Sequence, residues 1–200
     1  MTRPTLKERQ HKLREDAILE STQRLLAADG YAAMTMDDVA NDVGISKATL
    51  YQHFKSKEEL VVNVVLNTVS QVVSRIDALD PAVRAVVRLR EVVRLIIDVR
   101  FGTPMLDCTD VESTIKPLLR RNPDFIQREQ ALIDTLSTLI EAAKQDGDVI
   151  PTLSTPILVT AFLSCIQNGA YFEMLRDGQC TMDDLETTLM GMIAPGHWRE

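Results

Sequence analysis

Segment 47–53 concentrates side chains that can bind the polar surface of another molecule. It carries an ammonium, a hydroxyl, an amide, an imidazole and a phenol. These groups donate hydrogen bonds to anionic or carbonyl oxygens, and the phenol also packs against flat surfaces. If the segment is a helix, Leu50 takes its buried position, together with the flanking Ile45 and Phe54. The other side chains then have no core to enter: Lys47, Ala48, Thr49, Tyr51, Gln52 and His53.

Capping and turn residues define the two short helices that position this segment. Thr35, followed by Asp38, has the spacing of an N-terminal cap and begins the first helix. Gly44 supplies the positive φ that ends this helix within a turn of three to four residues. Ser46 can then cap the second helix, which contains the exposed donors. This layout predicts a helix-turn-helix, in which the second helix reads the major groove of DNA.

The charge distribution supports a DNA-facing N-terminus on an acidic body. The whole chain has a formal net charge of −7, but residues 1–57 carry a net +1 and residues 58–200 a net −8. Phosphate affinity depends on local Lys and Arg placement rather than on whole-chain charge. The first fourteen residues are more basic still, with one acidic side chain against five basic ones: Arg3, Lys7, Arg9, Lys12 and Arg14. The alternative is a disordered basic tail without a role.

Composition indicates a reduced, cytosolic protein. The 200 residues are 45% hydrophobic, which is enough for one sizeable core or for a small module fused to a larger domain. The polar, basic N-terminus has no signal-peptide pattern, and no apolar run is long enough to span a bilayer. The cysteines are odd in number and far apart, and they lack metal-ligand spacing: Cys108, Cys165 and Cys180.

Helical signals occupy nearly every segment, and we find no strand, repeat or low-complexity tract. We therefore expect an all-α fold of about nine helices. The valine-rich fourth helix could be taken for a strand on propensity, but its length and the capping pair of Ser56 with Glu59 favour a helix. Pro117 should bend or split the sixth helix. Outside the two short helices, the predicted helices span 9–29, 56–78, 81–100, about 110–121, 123–147, 155–176 and 181 to just before Pro195, with a loop at 102–109.

The N-terminal part of the chain resembles the DNA-binding domain of the tetracycline-repressor (TetR) family of bacterial transcription regulators. The matching elements, LLAADGY, TMDDVANDVGISKATLYQHF and KSKEEL, lie within about residues 10–62. The run GISKATLYQHFKSKEEL is highly specific for that family, whereas the rest of the chain matches only in helix count and spacing. The resemblance implies a helix-turn-helix domain at 1–60 and a helical effector-binding and dimerisation domain at 61–200.

The same resemblance implies a DNA contact for each matching residue. Thr35 would bring its hydroxyl and backbone N–H to a phosphate at the positive end of a helix dipole. Four residues would meet base edges, with Lys47 also able to reach a phosphate: Lys47, Ala48, Thr49 and Gln52. Three would clamp the phosphate backbone: Tyr51, His53 and Lys57.

The resemblance further implies a homodimeric repressor that leaves a palindromic operator in double-stranded DNA when a small apolar or amphipathic effector binds. In relatives the last two helices form a four-helix bundle with their symmetry mates, and the apolar run 157–165 suits that role. The effector would enter a mostly apolar cavity. Its candidate lining residues are Asp98, Phe101, Thr103, Met105, Cys108, Phe125, Phe162, Asn168 and Tyr171.

Two rival functions stay open. A ligand-independent DNA-binding activator or architectural protein would keep the same first 60 residues without a cavity. A helical hydrolase or binding module with an incidental helix-turn-helix is the more distant alternative. We expect no enzyme activity, because no Ser/His/Asp or Cys/His set has a suggestive spacing.

We also expect no metal ion and no cofactor. A group of acidic residues lacks a paired histidine, so capping and solvated loop charges are favoured there: Asp98, Asp107, Asp110 and Glu112. His11 and His197 lie in terminal segments and are expected to have no role. The cysteines are expected to be buried rather than redox-sensing.

Overall fold

Helices form all the regular structure of the part of the chain that the structure describes, as the sequence predicts. The computed structural model describes residues 5–102, 109–166 and 169–194, with the side chains of all but 100–102, 109–113, 166, 169 and 172. The helices are α1 (Leu6–Ala33), α2 (Met36–Val43), α3 (Lys47–His53), α4 (Lys57–Asp77), α5 (Ala85–Gly102), α6 (Thr109–Leu119), α7 (Pro123–Gln145), α8 (Thr155–Ile166), α9 (Gly169–Arg176) and α10 (Met182–Ile193).

Helix α1 begins and ends at local signals. Thr5 accepts a hydrogen bond from the backbone of Glu8, and the Glu8 carboxylate accepts one from the backbone of Thr5, so this capping box begins the helix before the predicted residue 9. The hydrogen bond from the Thr5 backbone, followed by that from the Thr5 hydroxyl, lowers the pKa of Glu8. Gly30 leaves the helical conformation at φ 77° and ψ 170°, which confirms the predicted end of the regular helix at residue 29.

The chain divides into two compact units. One comprises α1 to α3, α4 as far as Val69, and α6; the other comprises α4 from Ser70 onward, α5 and α7 to α10. The division within α4 and the return of α6 to the first unit differ from a simple division after residue 60. As a functional boundary, residue 60 stays a prediction.

In the first unit, α2 packs against α1 and α3 packs against α2. Its fully buried side chains come from each element in turn: Ile18 and Leu26 of α1, Val39 of α2, Leu50 of α3 and Leu60 of α4.

The core of the second unit is built around α5, which packs on α7 and α10, while α7 also packs on α8. Helix α5 contributes residues at i, i+3, i+6 and i+7 that are completely buried: Val86, Leu89, Val92 and Val93. Within the described residues, no helix is long and apolar enough to cross a membrane.

Three predicted boundaries differ from the structure. Helix α5 begins at Ala85 rather than at residue 81, because the Asp80 carboxylate accepts a hydrogen bond from the backbone of Ala82 and forms a turn instead. Helix α6 runs through Pro117 without a split. The predicted helix 155–176 is described as α8 and α9, on either side of residues 167–168, which the structure does not describe.

Candidate functional site

Helices α2 and α3 have the geometry of a helix-turn-helix. Thr35 and Asp38 exchange both hydrogen bonds of a capping box at the start of α2. Gly44 ends α2 in the left-handed region at φ 75° and ψ 33°. Ser46 then accepts a hydrogen bond from the backbone of Thr49 and begins α3. A turn of three residues therefore fixes the direction of the second short helix relative to the first.

A polar contact joins α2 to α1. The hydroxyl of Ser21, which is fully buried, donates to the Asp42 carboxylate at 2.6 Å, and Arg24 pairs with the same oxygen at 2.7 Å. The Ser21 hydrogen bond, followed by that of Arg24, lowers the pKa of Asp42. The motif is thus anchored to α1 by a charged group as well as by apolar packing.

The predicted solvent-facing surface of α3 is confirmed for four of its residues. The side chains of Lys47, Ala48, Tyr51 and Gln52 are exposed, whereas Leu50 is fully buried. Thr49 is half-buried, and its hydroxyl lies 2.8 Å from the Ser46 hydroxyl. We call the four exposed side chains the α3 face. It presents an ammonium, an amide, a phenol and a methyl group to solvent.

Lys47 is paired within the motif. Its Nζ lies 2.8 Å from a carboxylate oxygen of Asp37, and both side chains are exposed. The hydrogen bond from Lys47 to Asp37 raises the pKa of Lys47. This lysine is therefore charged, but a phosphate or a base would compete with Asp37 for it.

Thr35 and Lys57 are also engaged within the protein. Both the backbone N–H and the hydroxyl of Thr35 donate to the Asp38 carboxylate, at 2.9 and 2.6 Å. The Nζ of Lys57 lies over the Tyr31 ring, 4.2 Å from its centroid. The Tyr31 hydroxyl in turn donates to Glu58 at 3.2 Å. Each predicted phosphate contact therefore requires an internal partner to be exchanged, and both contacts stay predictions.

His53 does not share the α3 face. Its side chain is only 3% exposed, so the prediction that it faces solvent is wrong. Its ring lies 4.3 Å from the ring of His11 and 6.4 Å from that of Phe54. The spacing of residues 50, 53 and 54 is that of one helical stripe, a signal in the sequence that would have placed His53 on the inner side.

The predicted effector-pocket residues are only partly within the described part of the chain. Thr103, Met105, Cys108 and Asn168 lie outside it, as does the side chain of Phe101. Asp98 is exposed and Phe125 is half-buried. Phe162 is buried and lines a small apolar cavity of about 60 Å³, which also includes Cys165. Tyr171 packs against the core, and the neighbouring Cys165, more than burial, raises the pKa of its hydroxyl. These placements do not bring the set together as one pocket.

A larger groove in the second unit was missed by sequence reasoning. Its volume is about 420 Å³, within the range of small-molecule sites. We call it the polar groove; its lining is Ile76, Asp77, Leu79, Pro81, Arg88, Asp134, Thr135, Thr138 and Leu139. The Nε of Arg88 is buried and has no hydrogen-bond partner among the described residues. No local motif marks these residues, because the fold assembles them from α4, α5, α7 and a connecting turn.

Sequence comparison identifies the N-terminal domain. The family of bacterial regulatory proteins described as the tetR family matches residues 18–64. The HTH-type transcriptional regulators YerO of Bacillus subtilis and EthR of Mycolicibacterium smegmatis are each 42% identical to this chain, over 50 and 52 residues. These segments are 25% and 26% of this chain but only 17% and 24% of the relatives. Their likeness therefore concerns about a quarter of this chain and less than a quarter of each relative.

Structural comparison extends the likeness of fold to nearly the whole chain. A TetR/AcrR-family transcriptional regulator from Thermobifida fusca has a TM-score of 0.72 at 20% identity, over 93% of this chain and 99% of that one. AibR, in complex with isovaleryl coenzyme A and operator DNA, has a TM-score of 0.63 at 22% identity, over 91% and 98%. The helix-turn-helix geometry and the family match agree: residues 18–64 of this chain are a DNA-binding domain of the tetR family of bacterial regulatory proteins.

Proposed function

We propose that this protein is a homodimeric transcriptional repressor that binds a palindromic operator in the cytoplasm and leaves it when an amphipathic small molecule binds. The observation that carries the proposal is the α3 face, whose exposed donors are held by two capped helices around the Gly44 turn. Lysine and glutamine side chains on a short, solvent-facing second helix are suited to base edges and phosphates in the major groove.

We propose a homodimer because one motif contacts only a short stretch of DNA. One short helix reads only a few base pairs, so two half-sites about 34–36 Å apart are needed for specific affinity. Helices α8 and α10 offer an apolar surface for the second copy, with Ile157 and Met192 exposed and Leu158, Phe162 and Ile193 lining the small cavity between the two helices. An apolar surface on two neighbouring helices is the pattern that a bundle with a symmetry mate buries.

The polar groove is our proposed effector site. Aliphatic side chains, among them Ile76 and Leu139, can contact an apolar moiety. The guanidinium of Arg88, whose buried Nε has no hydrogen-bond partner among the described residues, can donate to a carboxylate or phosphate. Asp77 and Asp134 line the same groove and disfavour a multiply charged anion. An acyl thioester is the ligand of AibR, which shares the fold, and an amphipathic ligand suits this lining. The effector must bind the DNA-incompetent state preferentially, by about 1–3 kcal/mol or more, to cause release.

The DNA-binding part is tested by affinity selection of genomic fragments with the purified protein, followed by gel shifts on the selected sequence. We expect Lys47→Ala and Tyr51→Ala to abolish retention while circular dichroism shows unchanged helicity. Gln127→Ala, an exposed change on α7, is the matched control and should bind normally. Unchanged retention by both α3-face variants would contradict the assignment.

The effector part is tested by screening small molecules for release of the operator. Arg88→Met should abolish release by a ligand that acts through the polar groove, without changing operator affinity in its absence. If Phe101→Ala and Tyr171→Ala block release instead, the effector site is the one predicted from sequence. Operator binding that no small molecule changes would favour the ligand-independent activator or architectural protein.

A further inference from the structure

Three side chains that could hold a metal ion come together in the first unit. His11 and Glu15 lie one turn apart on α1, and His53 is the last residue of α3. One ligand atom from each residue lies within 4.8 Å of the other two. No other group of three or more His, Cys, Asp or Glu ligand atoms has this closeness among the described residues.

The distances suit a small divalent ion. Glu15 Oε1 lies 3.5 Å from the Nδ1 of His11 and 3.6 Å from the Nδ1 of His53. Nitrogen and oxygen ligands about 2.1 Å from a tetrahedral ion are about 3.4 Å from each other. Two edges of the coordination polyhedron are therefore close to the required length without an ion. The two imidazole rings lie 4.3 Å apart and need only small rotations to complete the third edge.

A second observation points to a missing ligand. The side chain of His53 is 3% exposed, and its Nδ1 is buried with no hydrogen-bond partner among the described residues. Burying a polar atom without a partner costs free energy, and such atoms are rare in native proteins. The Glu15 carboxylate faces this nitrogen at 3.6 Å, which is too long for a hydrogen bond but suitable for a shared ion.

An ion pair alone explains the cluster less well. One carboxylate oxygen faces both imidazoles at similar distances, and it forms a hydrogen bond of normal length with neither. If both rings carried a proton charge, they would repel each other across 4.3 Å. A metal ion accepts both neutral imidazoles and the carboxylate at once.

We propose that His11, Glu15 and His53 bind a divalent transition-metal ion of the Zn²⁺ class. Two imidazoles and one carboxylate favour such ions over Mg²⁺ and Ca²⁺, which prefer all-oxygen sites. His11 and Glu15 are 57% and 37% exposed, so the ion can enter from solvent and water can complete its coordination. The ion joins the N-terminal half of α1 to the end of α3.

The test is a titration of tag-free protein with Co²⁺, whose visible absorption reports tetrahedral coordination, followed by displacement with Zn²⁺. We expect His11→Gln, Glu15→Gln and His53→Gln each to weaken binding by more than about 100-fold, beyond what loss of an outer-shell partner causes. His197→Gln, and the variant with Cys108, Cys165 and Cys180 replaced by Ser, are the controls and should bind like the original protein.

A second measurement keeps the test independent of folding defects and of DNA. Zn²⁺ should raise the thermal midpoint of the original protein and of His197→Gln but not that of His11→Gln or Glu15→Gln. His11 is exposed and Glu15 is half-buried, so His11→Gln and Glu15→Gln still test the site if His53→Gln unfolds. Absence of Co²⁺ binding by the original protein, or equal binding by the cluster variants, would overturn the site. Both readouts need no operator, so failure of the DNA-binding proposal leaves them unaffected.

Discussion

The Nζ of Lys47, at the start of α3, lies 2.8 Å from the carboxylate of Asp37, in the first turn of α2. These two side chains, one from each helix of the motif, therefore neutralise each other in the free protein. On DNA, Asp37 would lie near the phosphates that Lys47 is expected to meet. If Lys47 contacts DNA as proposed, the pair would oppose binding in two ways, because it occupies the lysine and places a negative charge beside it.

We expect Asp37→Asn to bind the operator more tightly, by roughly two- to fivefold, which is the range of an exposed ion pair. Freeing Lys47 for a phosphate should also steepen the dependence of log affinity on log salt by about 0.9. Fluorescence anisotropy at several salt concentrations measures both quantities.

Asp146→Asn makes the same charge change at an exposed position in the second unit and is the control for that experiment. It should leave both affinity and salt slope nearly unchanged. Equal tightening by both variants would mean that net charge, rather than the pairing of Lys47, sets the affinity.

The sequence predicts the helix-turn-helix well because its signals are local. Thr35 with Asp38, Gly44 and Ser46 each act within four residues along the chain, and each has the predicted role in the structure. Capping and turn chemistry depend on neighbours that the sequence itself shows. Asp80 shows the limit of such rules. Aspartate can cap the start of a helix, but in this chain Asp80 forms a turn.

Features that depend on distant contacts could not be predicted in this way. The sequence predicts His53 on the outer surface because Leu50 and Phe54 take the buried positions, but in the structure its ring lies beside that of His11 on α1. Arg88 and Asp134 both line the polar groove, and no spacing along the chain indicates that they lie in one groove. Burial of such groups follows from tertiary packing, which periodicity describes only in part.

Gly44→Ala should destabilise the protein by about 1 kcal/mol. Gly44 has φ +75°, and a Cβ there would meet nothing within 4 Å, so the cost comes from the left-handed backbone alone. Gly44→Asn should cost less, since asparagine tolerates this conformation better. Urea unfolding followed by circular dichroism provides the free energies.

Gly191→Ala is the matched control, because Gly191 lies within α10 and a Cβ there would meet nothing within 4 Å. Replacing a helical glycine by alanine should stabilise the protein by about 0.5–1 kcal/mol. Opposite signs for the two substitutions confirm the backbone argument, whereas destabilisation by both would indicate packing costs that the structure does not show.

The capping box of α2 should make stability depend on acid pH. The hydrogen bonds from the hydroxyl and then the backbone of Thr35 lower the pKa of Asp38 from its usual 3.8. Because the folded pKa is depressed, the contribution is fully present above pH 3.8 and is lost as the pH falls through the folded value. The free energy of unfolding of Asp38→Asn should thus approach that of the original protein below pH 3.8. A difference that stays constant through this range would contradict the assignment.

Arg84 and Asp148 should respond unequally to substitution. Arg84 Nη2 lies 2.6 Å from Asp148 Oδ1, but the arginine side chain is 51% exposed and the aspartate 2% exposed. Arg84→Met leaves a buried carboxylate without its counter-charge and should lower the free energy of unfolding by about 2–4 kcal/mol. This is somewhat less than the loss when one partner is removed from a fully buried ion pair. Asp148→Asn removes the charge, leaves the arginine to solvent, and should cost about 1 kcal/mol.

The double variant distinguishes this mechanism from simple loss of contacts. Once Asp148→Asn has removed the buried charge, the further change Arg84→Met should add little, so the double variant should be about as stable as Asp148→Asn alone. Urea unfolding of all four proteins gives the double-mutant cycle. Additive losses would instead mean that Arg84 stabilises the second unit through its aliphatic stem rather than by neutralising Asp148. We expect neutralisation, because Asp148 Oδ2 has no hydrogen-bond partner among the described residues and the carboxylate therefore depends on the Arg84 guanidinium.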